Sequence, residues 1–240
     1  MPGKLYLIPN AISDDGALEK IPTYIAGIAA SLRYFFVEEE KSARRLLKKL
    51  NPQMPISECV FFLLNEHTSS AQSQACLKNL GDQDAGIMSE SGCPCVADPG
   101  ADVVLLAHQK GMEVIPLVGP SSILLALMAS GLNGQNFAFN GYQPKERNLR
   151  IKKIKELEAR SLKEGQTQIF MDTPYRNQNV FEDALSSLSA QTLFCLVYDL
   201  TGSKQCIKTM TIKQWQGQNH KLEKRPALFL IENRSKNLNH

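Results

Sequence analysis

The sequence predicts an α/β protein built from two α/β domains, 1–117 and 118–240, with a ligand cleft between them. Three observations predict it. Short, nearly continuous apolar runs alternate with helical patterns through the first half, as in a largely parallel sheet covered on both faces. In the second half the last three strand-like runs follow one another with few helical residues between, which points to antiparallel hairpins and a mixed sheet. The chain of 240 residues divides naturally into two domains of ordinary size at "LVGPSS" (117–122), where the pattern breaks.

In the first domain the strands are "KLYLIP" (4–9), "RYFFVE" (33–38), "CVFFLL" (59–64), "AGIMSE" (85–90) and "MEVIPLV" (112–118). Helices are expected at 17–32, 42–50, 69–80 and 102–111, the last stopped by Gly111. In the second domain "NFAFNGY" (136–142), "TQIFMDT" (167–173), "LFCLVYDL" (193–200), "CIKTMTI" (206–212) and "ALFLIEN" (227–233) are strands. The segment 145–165 reads as one long helix, with eight Lys or Arg against four Glu and an apolar stripe of Leu149, Ile151, Ile154, Leu157 and Leu162. It is either a solvated helix packed on one face or a phosphate-contacting patch, and the acid-free "KSARRLLKK" (41–49) has the same ambiguity.

Composition narrows the class. An apolar fraction of 43% and a charged fraction of 21% suit a soluble globular protein, and no apolar run approaches membrane-spanning length. The N-terminus enters a strand without a basic-then-apolar leader, so a cytoplasmic location is expected. A net charge of +3 is compatible with a nucleic-acid partner without demanding one. The six cysteines are irregularly spaced, with neither C-x-x-C nor H-E-x-x-H; reduced thiols and no metal site are expected. Neither G-x-G-x-x-G, a P-loop, nor G-x-S-x-G is present, which removes support for dinucleotide, P-loop and serine-hydrolase chemistry.

Chemistry concentrates instead at strand ends. "IPNAI" (8–12), "SESGCPCVADPG" (89–100) and "GPSS" (119–122) each put Gly or Pro and small polar residues at the carboxyl edge of the sheet, where open α/β folds bind ligands. Gly92 and Gly100 allow positive φ or close approach, and Ser121 and Ser122 can cap the following helix.

In order along the chain, these stretches resemble the tetrapyrrole methylase superfamily, and within it the small-subunit ribosomal RNA 2′-O-ribose methyltransferases. "LYLIPNAI" matches the family's L-Y-x-x-P-x-P-I, and "SESGCPCVADPG" its S-D-A-G-x-P-x-x-x-D-P-G. "VIPLVGPSS" matches V-x-P-x-P-G-x-S-A, and "FNGYQP" matches F-x-G-F-x-P. "VEEEK" (37–41), "DTPYR" (172–176) and "YDLTG" (198–202) correspond more loosely to A-E-D-T-R, E-x-x-H-R and R-E-L-T. The resemblance implies an S-adenosylmethionine-dependent methyltransferase acting on ribosomal RNA, working as a homodimer without metal. It implies donor contacts from Pro9, Ser89, Glu90, Ser91, Gly92, Ser121 and Ser122, and from the Leu200 and Ala227 backbones. For a ribose 2′-OH acceptor, Glu39 is the expected base or orienting group and Lys41 the residue favouring the anionic acceptor. The chain departs from the family at Glu90, in place of Asp, and across Glu39, Glu40 and Lys41, in place of Asp-Thr-Arg. A small-molecule, tetrapyrrole-like methyltransferase and a donor-binding relative without catalysis are the alternatives. Cys93 and Cys95 read as fillers of the bend, not ligands.

Overall fold

The computed structural model describes residues 2–13, 18–65 and 68–234. They pack as two compact units, Met1–Ser121 and Ser122–His240.

The first unit holds strands β1 (Lys4–Ile8), β2 (Tyr34–Val37), β3 (Val60–Leu63), β4 (Ala85–Met88) and β5 (Glu113–Pro116). They form one sheet in the order β3-β2-β4-β1-β5, parallel throughout. Helices α1 (Tyr24–Ser31), α2 (Glu40–Leu50), α3 (Ser70–Leu80) and α4 (Ala101–Gln109) connect them. Two apolar clusters cover the sheet. One gathers Ile8, Ile25 and Phe35 with Leu47 of α2. The other gathers Leu5, Phe36, Leu77 and Ile87 with Val103 of α4. That is why the strands read as continuous apolar runs.

The helix expected over 17–32 is shorter. A 3-10 turn at Leu18–Lys20 precedes α1, and Ala17 lies outside the described residues. Pro22 lacks an N–H and disfavours helical geometry at Ile21, so the helix starts only after it. α2 begins two residues earlier than expected, because Glu39 caps it. Gly111 does stop α4, at φ +76°.

The second unit holds β6 (Phe137–Tyr142), β7 (Thr167–Asp172), β8 (Leu193–Tyr198), β9 (Cys206–Thr211) and β10 (Ala227–Glu232), in the order β6-β7-β10-β8-β9. Only β6 and β7 are parallel; the other pairings are antiparallel. Helices α5 (Ser122–Ser130), α6 (Arg147–Glu164), α7 (Asn177–Ser187) and α8 (Ile212–Gln216) complete it. Its core is aromatic: Phe181, Phe194 and Trp215 pack ring to ring, and the Trp215 indole N–H donates to the Phe194 carbonyl at 2.8 Å.

Of the apolar stripe expected on α6, Ile154 and Leu157 are buried, while Ile151 and Leu162 are half-buried and the ends of the buried row are polar. The buried row is Arg150, Ile154, Leu157 and Ser161, spaced four, three and four, while Leu149 faces solvent. Arg150 is tolerated inside because its guanidinium meets the buried Asp183 carboxylate of α7 at 2.7 Å and donates to the Pro144 and Lys145 carbonyls. No helix among the described residues is long and apolar enough to cross a membrane.

Candidate functional site

The strand order sets the site of the first unit. β2, β4, β1 and β5 are neighbours; Val37, Met88 and Ile8 end three of them in register, and Pro116 ends β5 opposite Leu7. Glu38, Ser89, Pro9 and Leu117 therefore leave the carboxyl edge side by side. Three of the loops are stitched together. The Asn10 side-chain amide donates to the Ser89 and Glu90 carbonyls at 3.1 and 3.0 Å. The Asn10 backbone N–H donates to the Gly92 carbonyl at 2.8 Å. The buried Ser89 hydroxyl donates to the Ser91 carbonyl at 3.2 Å. Gly92 takes φ +70°, and a Cβ built at Gly119 would stand 2.2 Å from the Pro9 side chain, so only glycine lets the third loop approach. Pro9, Ser89, Glu90, Ser91 and Gly92 are thus brought to one place, with Gly119–Ser121 beside them.

The bend is tight enough to force Cys95 and Ala97 to φ +66° and +64°, a left-handed backbone uncommon for residues with a side chain. Cys93 and Cys95 are free thiols. Cys93 Sγ points at the Pro120 carbonyl, 3.4 Å away. Burial, then the Asp98 charge, pushes the Cys95 thiol up to about 11, and burial raises Cys93. Protonated thiols are neither nucleophiles nor metal ligands. Among the described residues no group of three or more His, Cys, Asp or Glu is arranged to hold a metal ion.

Carboxylates dominate the electrostatics of this edge. Glu39 is not a free base here: Oε1 accepts from Lys41 N at 2.9 Å and Oε2 from Ser42 N at 2.7 Å, capping α2. These backbone bonds hold its carboxyl below the usual range. Lys41 is exposed in the first turn of the same helix. Glu38 is the contrasting group. It takes only one long hydrogen bond, from Glu90 N at 3.4 Å, and burial followed by the Asp98 charge pushes it up to about 7. Asp98 is pushed up to about 6 by burial and then by Glu90, against the Ser89 hydroxyl. The Glu90 carboxylate accepts from the Ser42 hydroxyl. Among the described residues no lysine or arginine forms an ion pair with Glu38, Glu90 or Asp98.

The second unit places Leu200 and Ala227 on one sheet edge. Ala227 begins β10 and pairs with Asp172 on one side and Tyr198 on the other. Leu200 follows β8 in a loop with positive φ at Asp199 and Thr201. The Asp199 carboxylate holds that loop by accepting from Lys204 N at 2.9 Å and pairing with Arg225 at 2.8 Å. A Cβ at Gly202 would meet this carboxylate at 2.7 Å. Ser122 opens α5.

Sequence reasoning missed Glu38, Asp98 and Asn10. Glu38 was visible as the first of three glutamates, and Asp98 as part of the DPG turn. Which of them faces the neighbouring loop depends on strand pairing.

No family model matches the chain. Among curated proteins it is 28% identical over 231 residues to "Ribosomal RNA small subunit methyltransferase I" of Vibrio cholerae, covering 95% of this chain and 76% of that one. The proteins of the same name from Pasteurella multocida and Escherichia coli O157:H7 are 25% and 24% identical, covering 98% and 96% of this chain and 80% and 78% of theirs. Among solved structures, the methyltransferase CobJ superposes with a TM-score of 0.59 at 16% identity, covering 96% of this chain and 94% of that one. Over nearly its whole length the chain is thus similar in sequence to ribosomal RNA small subunit methyltransferases I and in fold to CobJ. It is a methyltransferase, and the curated relatives above carry the name of a ribosomal RNA enzyme. The two-sheet α/β architecture expected from the sequence is present.

Proposed function

We propose that this protein transfers a methyl group from S-adenosylmethionine to a ribose 2′-OH of small-subunit ribosomal RNA. The observation that carries the reading is the match to the small-subunit ribosomal RNA methyltransferases, which takes in nearly the whole chain. The first-unit edge suits the donor. S-adenosylmethionine carries a cationic sulfonium, and the edge offers Glu38, Glu90 and Asp98, with which no lysine or arginine among the described residues pairs, over loops drawn close at Gly92 and Gly119. Pro9, Ser89, Glu90, Ser91, Gly92, Ser121 and Ser122, with the Leu200 and Ala227 backbones, would hold it. When bound, it supplies an activated methyl group on sulfur.

The residues of the chain then have two tasks. One is alignment and exclusion of water. The other is removal of the hydroxyl proton. Glu38 suits the base role better than Glu39, because its carboxylate is unspent and its raised pKa lies near neutrality. Glu39 acts on the same place indirectly, by fixing α2 and with it Ser42 and Lys41. Single-turnover methylation should rise through about pH 7 as Glu38 ionises. Glu38→Gln should lower turnover at least 100-fold with donor affinity retained.

A homodimer working in the cytoplasm fits a ribosomal RNA substrate, and sedimentation at working concentration checks the dimer. The deciding experiment maps ribose methylation of small-subunit RNA in cells with and without the gene. Loss of one 2′-O-methyl mark on deletion is expected. An unchanged map would sink the proposal.

A further inference from the structure

The edge of the second unit that carries Leu200 and Ala227 continues past β7 to β6. β6 and β7 are parallel, so their trailing loops leave side by side. The first runs from Tyr142 into α6, the second through Thr173–Arg176 into α7. Tyr175 holds its ring out in solvent, 78% exposed, and Tyr142 at the end of β6 is 57% exposed. A lone exposed aromatic means little; the surroundings of Tyr175 mean more. The Lys224 ammonium stands 5.4 Å from the ring centroid. Arg176 is fixed by the Asp172 carboxylate at 2.5 Å and by the Gln143 carbonyl at 3.4 Å. Glu223, beside Lys224 in sequence, is engaged by Lys204 and Arg225.

Under this surface the hydrogen bonding is incomplete. Gln143 is 3% exposed, and neither its amide nitrogen nor its amide oxygen has a partner. Asp172 Oδ2 and Asn177 Oδ1, on the adjoining loop, are buried and unpartnered too. Buried polar atoms are nearly always paired. Four such atoms lie on three residues that adjoin Arg176, so the polar packing beneath this surface is not closed within the chain.

We propose that Tyr175, flanked by Lys224 and Arg176, is a stacking platform for an unpaired base of the RNA acceptor. The inference rests on the ribosomal RNA reading and adds the form in which the RNA is held. Proteins read single-stranded RNA by stacking splayed bases on aromatic rings and guanidinium planes, with cations on the adjoining phosphates. An aromatic ring set among cations and polar groups, without a broad apolar surround, suits that partner.

The test measures binding of a fluorescein-labelled, mixed-sequence 12-nucleotide RNA, single-stranded and as a duplex, to the full chain. Tyr175→Ala should weaken single-strand binding about 10-fold, while Tyr175→Phe and Tyr175→Trp stay within about 3-fold, because a ring is what stacking requires. Lys224→Ala should reduce the slope of log affinity against log salt by about 0.7. Unchanged binding in Tyr175→Ala overturns the inference, as does equal loss in Ala and Phe variants, equal binding of the duplex, or an effect confined to an acidic peptide competitor. Methylation of small-subunit RNA separates the two readings. If the wild type methylates and Tyr175→Ala keeps its KM for RNA, the platform falls and the function stands. If the wild type leaves that RNA unmethylated, the function reading falls first.

Discussion

Glu39 gives both carboxylate oxygens to backbone N–H groups of α2, while Glu38, one residue earlier, meets a single N–H at 3.4 Å. In an extended segment neighbouring side chains point to opposite sides, so two adjacent glutamates acquire opposite chemistry. The difference has a stability consequence. Glu38 and Asp98 are raised to about 7 and about 6 in the folded protein. The folded state therefore keeps protons that the unfolded chain releases at ordinary carboxylate values. Their favourable contribution is complete below those ordinary values and is lost as pH climbs through about 6 to 7. Glu38→Gln should raise the Tm seen by far-UV circular dichroism at pH 8 and leave it nearly unchanged near pH 4. Equal shifts at both pH values would remove Glu38 from this account. The sequence displays the three glutamates 38–40, but local pattern cannot say which one caps and which one faces the β4 loop. That follows from pairing β2 with β4, some fifty residues apart in the chain.

At the scale of elements, α6 and α7 are locked by one carboxylate. Asp183 accepts from Arg150 at 2.7 Å and from Arg147 at 2.9 Å, and both Asp183 and Arg150 are buried. Removing one partner strands a buried charge, so Asp183→Ala should cost about 3–5 kcal/mol, read as a shifted urea midpoint. Arg147→Ala, whose side chain is largely exposed, should cost less than about 1 kcal/mol. If the two variants were equal, the buried pair would not be what locks the helices. The length of α6 was legible from its charge density and the Gly165 stop. Of its buried face Ile154 and Leu157 were legible, but Arg150 and Ser161 were not, because each counts as polar until its partner, Asp183 or Asn233 N, is known. α7 escaped notice for the same reason: Asn177 and Asp183 are buried on it among only three apolar residues, Val180, Phe181 and Ala184.

At the scale of the molecule, each unit is one continuous stretch of chain with its own sheet. The division into a parallel and a mixed sheet could be read from the spacing of apolar runs. Strand order could not: β10 inserts between β7 and β8 although it comes last, a long-range pairing that local pattern does not carry. The loops of the first-unit edge were legible because Gly and Pro punctuate them. The unpartnered Gln143, Asp172 and Asn177 had no sequence signal, since each is an ordinary polar residue until burial isolates it. The chain has a single tryptophan, and Trp215 lies in the aromatic core of the second unit. Its emission is thus a built-in optical label for one half of the protein. Heat or urea melts followed by indole emission should respond to Asp183→Ala and stay silent to Glu38→Gln, whereas circular dichroism should register both. An emission shift in Glu38→Gln would mean that the halves unfold as one. A single residue, chosen for packing, lets an ordinary fluorimeter report whether this protein melts once or twice.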